Sequence, residues 1–118
     1  MMHIEDFREY CLKKKGITEE FPFNETTLVF KVMGKMFALT DIEHFSFINL
    51  KCDPERAVLL REAYPGIEPG YHMHKKSWNS VMMDGSIPDR MIREMIDDSY
   101  NLIARSLSKN LKENLDRL

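Results

Sequence analysis

Long apolar runs are missing from this chain: none exceeds four residues, as in Ala57-Val58-Leu59-Leu60. A membrane helix needs about 20 consecutive apolar residues, and a secretory leader needs an apolar stretch of about 7–15. Neither is expected. Cysteine is scarce as well. Cys11 and Cys52 stand far apart without C-x-x-C spacing, and a domain of this size needs no bridge, so the reading is a reducing cytoplasm. An excess of positive charge is also lacking: 17 Lys and Arg stand against 19 Asp and Glu, a net charge of -2. That removes a general attraction to polyanions and the histone-like class with it, so any nucleic-acid contact has to come from a local face. Signatures of catalysis are absent too. There is no Gly-rich phosphate loop, nucleophile elbow or H-x-x-x-H pair. Asp97-Asp98 read as the outer side of a helix and Asp84 as part of a turn before Gly85. The chain is expected not to be an enzyme and to hold no cofactor.

What is present suits one domain. A length of 118 residues with 43% hydrophobic and 31% charged residues is ordinary for a globular protein with a core of its own. The spacing of Ile4, Phe7, Tyr10 and Cys11 predicts a first helix from about His3 to Lys15. Lys13, Lys14 and Lys15 then complement the helix dipole, and Gly16 stops it. Phe21-Pro22-Phe23-Asn24 reads as a loop whose two aromatics tuck inward. Gly34-Lys35 fits a two-residue turn. That register sets Val32 opposite Phe37, Phe30 opposite Leu39 and Leu28 opposite Asp41 on the apolar side, with Lys31 opposite Ala38 and Val29 opposite Thr40 on the mixed side.

A third strand, about Phe45 to Lys51, is apolar on both sides and so central or covered twice. Asp53-Pro54-Glu55 opens a second helix, with Asp53 as cap and Pro54 in the first turn; Tyr64-Pro65-Gly66 ends it. A second hairpin spans Pro69–Met83 with Lys75-Lys76 near its tip. The last helix starts near Pro88 and turns Ile92, Met95, Ile96, Ser99, Leu102 and Ile103 inward. The predicted order is α-β(3)-α-β(2)-α: an α+β domain, residues 1–118, with helices packed on an antiparallel sheet.

The segment Pro69-Gly70-Tyr71-His72-Met73-His74-Lys75-Lys76-Ser77-Trp78-Asn79-Ser80-Val81 concentrates two imidazoles, two lysines and two large aromatics, with no acid between Glu68 and Asp84. As a nucleic-acid face, Lys75 and Lys76 would contact phosphates while Tyr71, His72, His74 and Trp78 stack or hydrogen-bond. So few charges imply weak, salt-sensitive binding. As a purely structural element, Tyr71 and Trp78 would pack on the sheet and the lysines would be solvated. His72 and His74, two apart on one strand face, could chelate a metal, but spacing suggests no third ligand, so no metal site is assigned. Cys52 precedes a helix start, which can lower a thiol's pKa; the alternation Ile48, Leu50, Cys52 instead puts it on an apolar face as an inert thiol.

Ordered short segments identify a relationship. Phe21-Pro22-Phe23, Thr27-Leu28-Val29-Phe30-Lys31-Val32, Gly34-Lys35-Met36-Phe37-Ala38-Leu39, Leu50-Lys51-Cys52-Asp53-Pro54-Glu55, Tyr64-Pro65-Gly66, Pro69-Gly70-Tyr71-His72, Lys75, Trp78-Asn79 and Asp84-Gly85 resemble the MmcQ/YjbR family over nearly the whole chain. The resemblance implies an α-β(3)-α-β(2)-α fold similar to type III secretion chaperones, and DNA binding through a double-wing arrangement of hairpins. It brings no catalytic residues. Its chaperone-like relatives imply the alternative, a protein-interaction module using the sheet or the terminal helix. Where family members often carry Leu-Pro followed by lysines, this chain reads Leu107-Ser108-Lys109. Without the proline the last helix is expected to continue through residues 108–118. Leu107, Leu111, Leu115 and Leu118 would then form an apolar stripe, covered by the parent domain or by a partner, with homodimerisation as the expected consequence.

Overall fold

A computed structural model describes residues 1–118. Its elements are α1 (Ile4–Leu12), β1 (Ile17–Glu20), β2 (Thr27–Val32), β3 (Lys35–Asp41), β4 (Phe47–Lys51), α2 (Pro54–Ala63), β5 (Ile67–Pro69), β6 (Trp78–Met82), α3 (Asp89–Arg105) and α4 (Lys109–Asp116). The strands form one antiparallel sheet in the order β1-β2-β3-β4-β6-β5. The α+β architecture, with helices on an antiparallel sheet, is as the sequence indicates. Four strands rather than three precede α2. The extra one, β1, is an edge strand of sequence Ile-Thr-Glu-Glu, which lacks the apolar alternation that marks a strand. Its acids are satisfied by neighbours: Glu19 by Arg8, and Glu20 by Lys31 with Nζ···O of 3.0 Å. Charged edges of this kind discourage pairing with another sheet. No helix is long and apolar enough to cross a membrane.

The main core lies between the sheet and the helices, with α2 adding Leu60 to the contributions of α1, α3 and α4. Phe7, Phe30, Phe37, Ile48, Val81 and Ile96 are fully buried there. Phe7 meets Phe30 edge-on, with ring centroids 5.5 Å apart. Helix α1 is shorter than expected: it ends at Leu12, so Lys13–Lys15 follow it rather than form its last turn. Lys14 turns back to Asp97 of α3, beside the Tyr10 hydroxyl. Asp53 caps α2, accepting from the N–H groups of Glu55 and Arg56, each at 3.2 Å.

The register of the first hairpin departs from expectation. The turn is Met33-Gly34, both at positive φ (48° and 89°), so Val32 pairs with Lys35. A two-residue turn with left-handed backbone at both central positions matches the twist of the flanking strands, and Gly34 supplies one of them without steric cost. A bulge follows, because Lys31 pairs with Met36 but Phe30 pairs with Ala38. Phe30 therefore does not face Leu39. Phe30 points into the main core, and Leu39 pairs with Val29 on the opposite face. The bulged residue, Phe37, also enters the core. Its carbonyl accepts a 2.6 Å bond from the buried Ser99 hydroxyl of α3, which in turn accepts from the Lys51 N–H at 2.9 Å. One hydroxyl thus pins α3 to two strands.

Two further expectations are corrected. Phe21 and Phe23 do not tuck in; they are 48% and 62% exposed. Asn24 makes the reason visible. Its Oδ1 accepts from the N–H groups of Thr26 and Thr27 at 2.9 and 2.7 Å, closing a tight turn that holds the aromatics outside. The last helix does not run on. It ends at Arg105, and Ser108 starts α4 as an N-cap, its Oγ accepting from Leu111 N–H at 3.3 Å. Serine at this position breaks the helix as proline would, by offering the next one a cap. Leu107 and Leu115 are buried in the main core and Leu111 packs against it. Three of the four stripe leucines are thus covered by their own domain, and Leu118 alone stays exposed, at 63%.

Candidate functional site

The sheet face away from the helices carries a second, smaller apolar cluster of Val29, Leu39 and Trp78, with Met36 and Met73 packed on it. The ladder explains it. Val29 pairs with Leu39, Leu39 with Asn49, and Asn49 with Ser80, so these four side chains form one row on one face. The row turns from apolar to polar toward β6.

That polar end holds the loop of residues 70–77. Ser80 Oγ donates to Asn49 Oδ1 and accepts from the Tyr71 N–H at 2.9 Å, while Asn49 Nδ2 donates to the Tyr71 carbonyl at 3.1 Å. Both backbone groups of Tyr71 are therefore taken by a buried pair. Gly70 lets the loop lie this low: a Cβ there would fall 2.7 Å from the Trp78 Cβ and 3.0 Å from its carbonyl oxygen. From α2, Arg61 Nη1 donates to the Lys75 carbonyl at 2.8 Å and to Asn79 Oδ1 at 3.2 Å. The loop is held at three places, so what it exposes is held in position.

Tyr71 is 58% exposed, and its ring meets Phe47 edge-on with centroids 5.7 Å apart. The His72 ring lies 4.0 Å from that of Tyr71. Between this loop and the Asn24 turn runs a groove of about 660 Å³, bordered by Phe23, Phe47, Tyr71, His72 and His74, with Trp78 below. Across Trp78 and Met36, which line both, lies a depression of about 590 Å³ holding Lys35, Lys51, Cys52, Asp53 and Ser77. Lys51 Nζ sits 5.5 Å from the centroid of the Trp78 ring, a cation–π contact.

Of the residues the sequence singled out, Tyr71, His72, His74, Lys75 and Lys76 are exposed on one loop. Trp78 is not with them. It is 5% exposed, a sheet residue whose indole separates groove from depression, and it offers no free face for stacking. His72 and His74 lie in a loop, His72 at φ 57°, so the strand alternation that would align them is not formed. His74 Nδ1 instead lies 3.3 Å from Ser77 Oγ. Lys75 folds back, donating from Nζ to the Gly70 carbonyl at 2.9 Å, whereas Lys76 extends freely. Burial pushes the half-buried Cys52 thiol above its ordinary pKa, which keeps it a neutral thiol despite the helix start beside it. Lys35, Lys51, Phe47 and Asn49 escaped the sequence reading. Only Lys51 had a signal, its place at the strand end beside the Asp53 cap.

This arrangement defines a single α+β domain with one helix-covered sheet face and one face carrying a clamped loop and a groove. Residues 12–102 match the model of the YjbR family, and the chain belongs to that family. It is 43% identical over 90 residues to the uncharacterized protein YbdF of Escherichia coli O157:H7, covering 75% of this chain and 74% of that one. Identity to the uncharacterized protein YjbR of Escherichia coli K12 is 30% over 118 residues, 99% of this chain and 100% of the relative. The fold matches the crystal structure of Deinococcus radiodurans protein DR2400 with a TM-score of 0.91 at 40% identity, over 98% of this chain and 89% of that one.

Proposed function

We propose that this YjbR-family domain is a cytoplasmic nucleic-acid-binding protein that uses the sheet end around loop 70–77. The observation that carries the reading is uncompensated charge. Six ion pairs occur in the molecule, and none involves Lys35, Lys51, Lys75 or Lys76. Lys35 and Lys51 line one depression with Ser77, directly after Lys75-Lys76 in the chain. Asp53 shares the depression and offsets one of the two lysine charges there; its carboxylate faces the N–H groups that open α2, and the lysines remain in excess. In a chain of net charge -2, four such lysines at one end make a local cationic surface. The function is binding, with no catalytic step. Two free cysteines accord with a reducing compartment.

Binding through so few cations is weak and salt-sensitive. If all four lysines meet phosphates, the slope of log K against log salt on duplex DNA is roughly -3.6 at its steepest. Titrating random duplex and single-stranded DNA at low and physiological salt tests this. Affinity that falls with salt at a slope of this size supports the reading; no binding at low salt refutes it. A second reading, a protein-interaction module, is favoured by exposed apolar side chains elsewhere: Phe21 and Ile42 beside Leu28, and Val58 with Leu59 on α2. Patches of this kind mark partner surfaces when contiguous.

A further inference from the structure

We infer that the groove beside Tyr71 takes an unpaired base, so that the nucleic acid bound is single-stranded; this rests on the nucleic-acid reading above. Three features converge. The groove is within the size of small-ligand sites, at about 660 Å³ against roughly 300–1,000 Å³. It presents the ring of Tyr71, 58% exposed, with the side chains of Phe23 and Phe47 beside it. Aromatic side chains bind unstacked bases without regard to sequence because every base has a π-face, while the bases of a duplex are already stacked on one another. A recessed groove between two loops reaches a splayed base and not a paired one.

Charge orients the strand. Asp41 lines the groove; its Oδ1 accepts from the Glu43 and His44 N–H groups, and Oδ2 has no partner within the chain. A carboxylate there repels phosphate and accepts from an exocyclic amino group. Across the wall formed by Trp78 and Met36, Lys35 and Lys51 attract phosphate. A base in the groove with its backbone over Trp78 toward the lysines satisfies both sides. The clamp supports this use. Tyr71 is held through its backbone by Asn49 and Ser80 and its ring rests against Phe47 and His72, so the ring is placed before any ligand arrives and little ordering remains on binding.

The test compares three fluorescently labelled probes at low salt: a mixed-sequence single strand, the same sequence as duplex, and an abasic strand of equal length. Wild-type protein, Tyr71→Ala and Tyr71→Phe are titrated with each. The expected order is single strand tightest. Tyr71→Ala lowers affinity for it by about tenfold and leaves the duplex and abasic strands unchanged, while Tyr71→Phe keeps the stacking surface and the affinity. The side chain is exposed and the clamp is backbone, so the variants fold, as circular dichroism verifies. Duplex or abasic DNA bound as tightly as the single strand, or a Tyr71→Ala variant without effect, overturns the inference while leaving nucleic-acid binding standing. Absence of binding to every probe overturns both.

Discussion

The two faces of this one sheet are built on opposite principles. The face under α1, α3 and α4 is filled by large apolar side chains with almost no exposure, and its rings meet at contact distance. The other face has three buried apolar residues, then a polar row, then a loop held by hydrogen bonds. A helix-covered face is held by volume, since interiors are close-packed and every methylene counts. A face covered by one loop can be held by a few fully satisfied polar contacts, and it keeps open space beside them. The buried polar network on the open side is complete: no buried side-chain nitrogen or oxygen lacks a partner. Such networks fix one geometry when satisfied. The comparison teaches that stability resides on one face and presented chemistry on the other.

Substitutions can break that division, and the largest effect belongs to the covered face. Phe30→Ala should cost about 3–5 kcal/mol, read from urea unfolding. Phe30 is fully buried against Phe7, so a near-neutral result would mean that this face is not the core. Leu115→Ala should cost about 2–3 kcal/mol, toward the low end for leucine because some exposure remains. The melting temperature should not depend on protein concentration, since α4 packs on its own domain; a concentration-dependent melt would point to a partner copy.

How far the sequence foretold these faces depends on the kind of signal. The start of α2 was readable because Asp53-Pro54-Glu55 is local chemistry, a cap and a fixed φ. So was the exposed loop, since four cationic or imidazole side chains in five residues cannot all be buried. The bulge at Phe37 was not readable. It depends on Ser99, far along the chain, accepting the role of partner to its carbonyl, and without the bulge the pairing slips and every side chain changes face. Strand β1 escaped because its Glu-Glu pattern makes sense only beside Arg8 and Lys31. Of the two readings open for Trp78, stacking surface or sheet residue, the second holds, and sequence alone does not decide it because its cover, Gly70 and Met73, arrives only when the loop folds back.

Smaller effects sharpen the comparison. Ser99→Ala leaves the Phe37 carbonyl and the Lys51 N–H without their partner and should cost about 1–3 kcal/mol. Loss within experimental error would show that the bulge does not need its pin. Replacing Lys75 and Lys76 together with Glu should cost no more than about 1.5 kcal/mol, the loss of the bond from Lys75 to the Gly70 carbonyl, yet weaken DNA binding across sequences and flatten its salt dependence. Unchanged affinity in the folded double variant would remove the loop from the interface. The smallest effect is one of pH. The hydrogen bond from Arg8 holds the Glu19 carboxyl below its ordinary pKa. Its contribution is then present above the unfolded value and lost as pH falls through the folded one. Arg8→Ala should reduce the acid-side drop in melting temperature slightly; an unchanged acid limb would assign that pair no role.

The most direct test of the division between the faces is an amide chemical-shift map of isotope-labelled protein titrated with single-stranded DNA at low salt. The predicted perturbations cover residues 70–78, the Asn24 turn, and Lys35, Phe47 and Lys51, leaving α1 and the buried side of α3 unmoved. Shifts centred on α1 or α2 with loop 70–77 silent, or no shifts at all, would contradict the assignment of function to the open face.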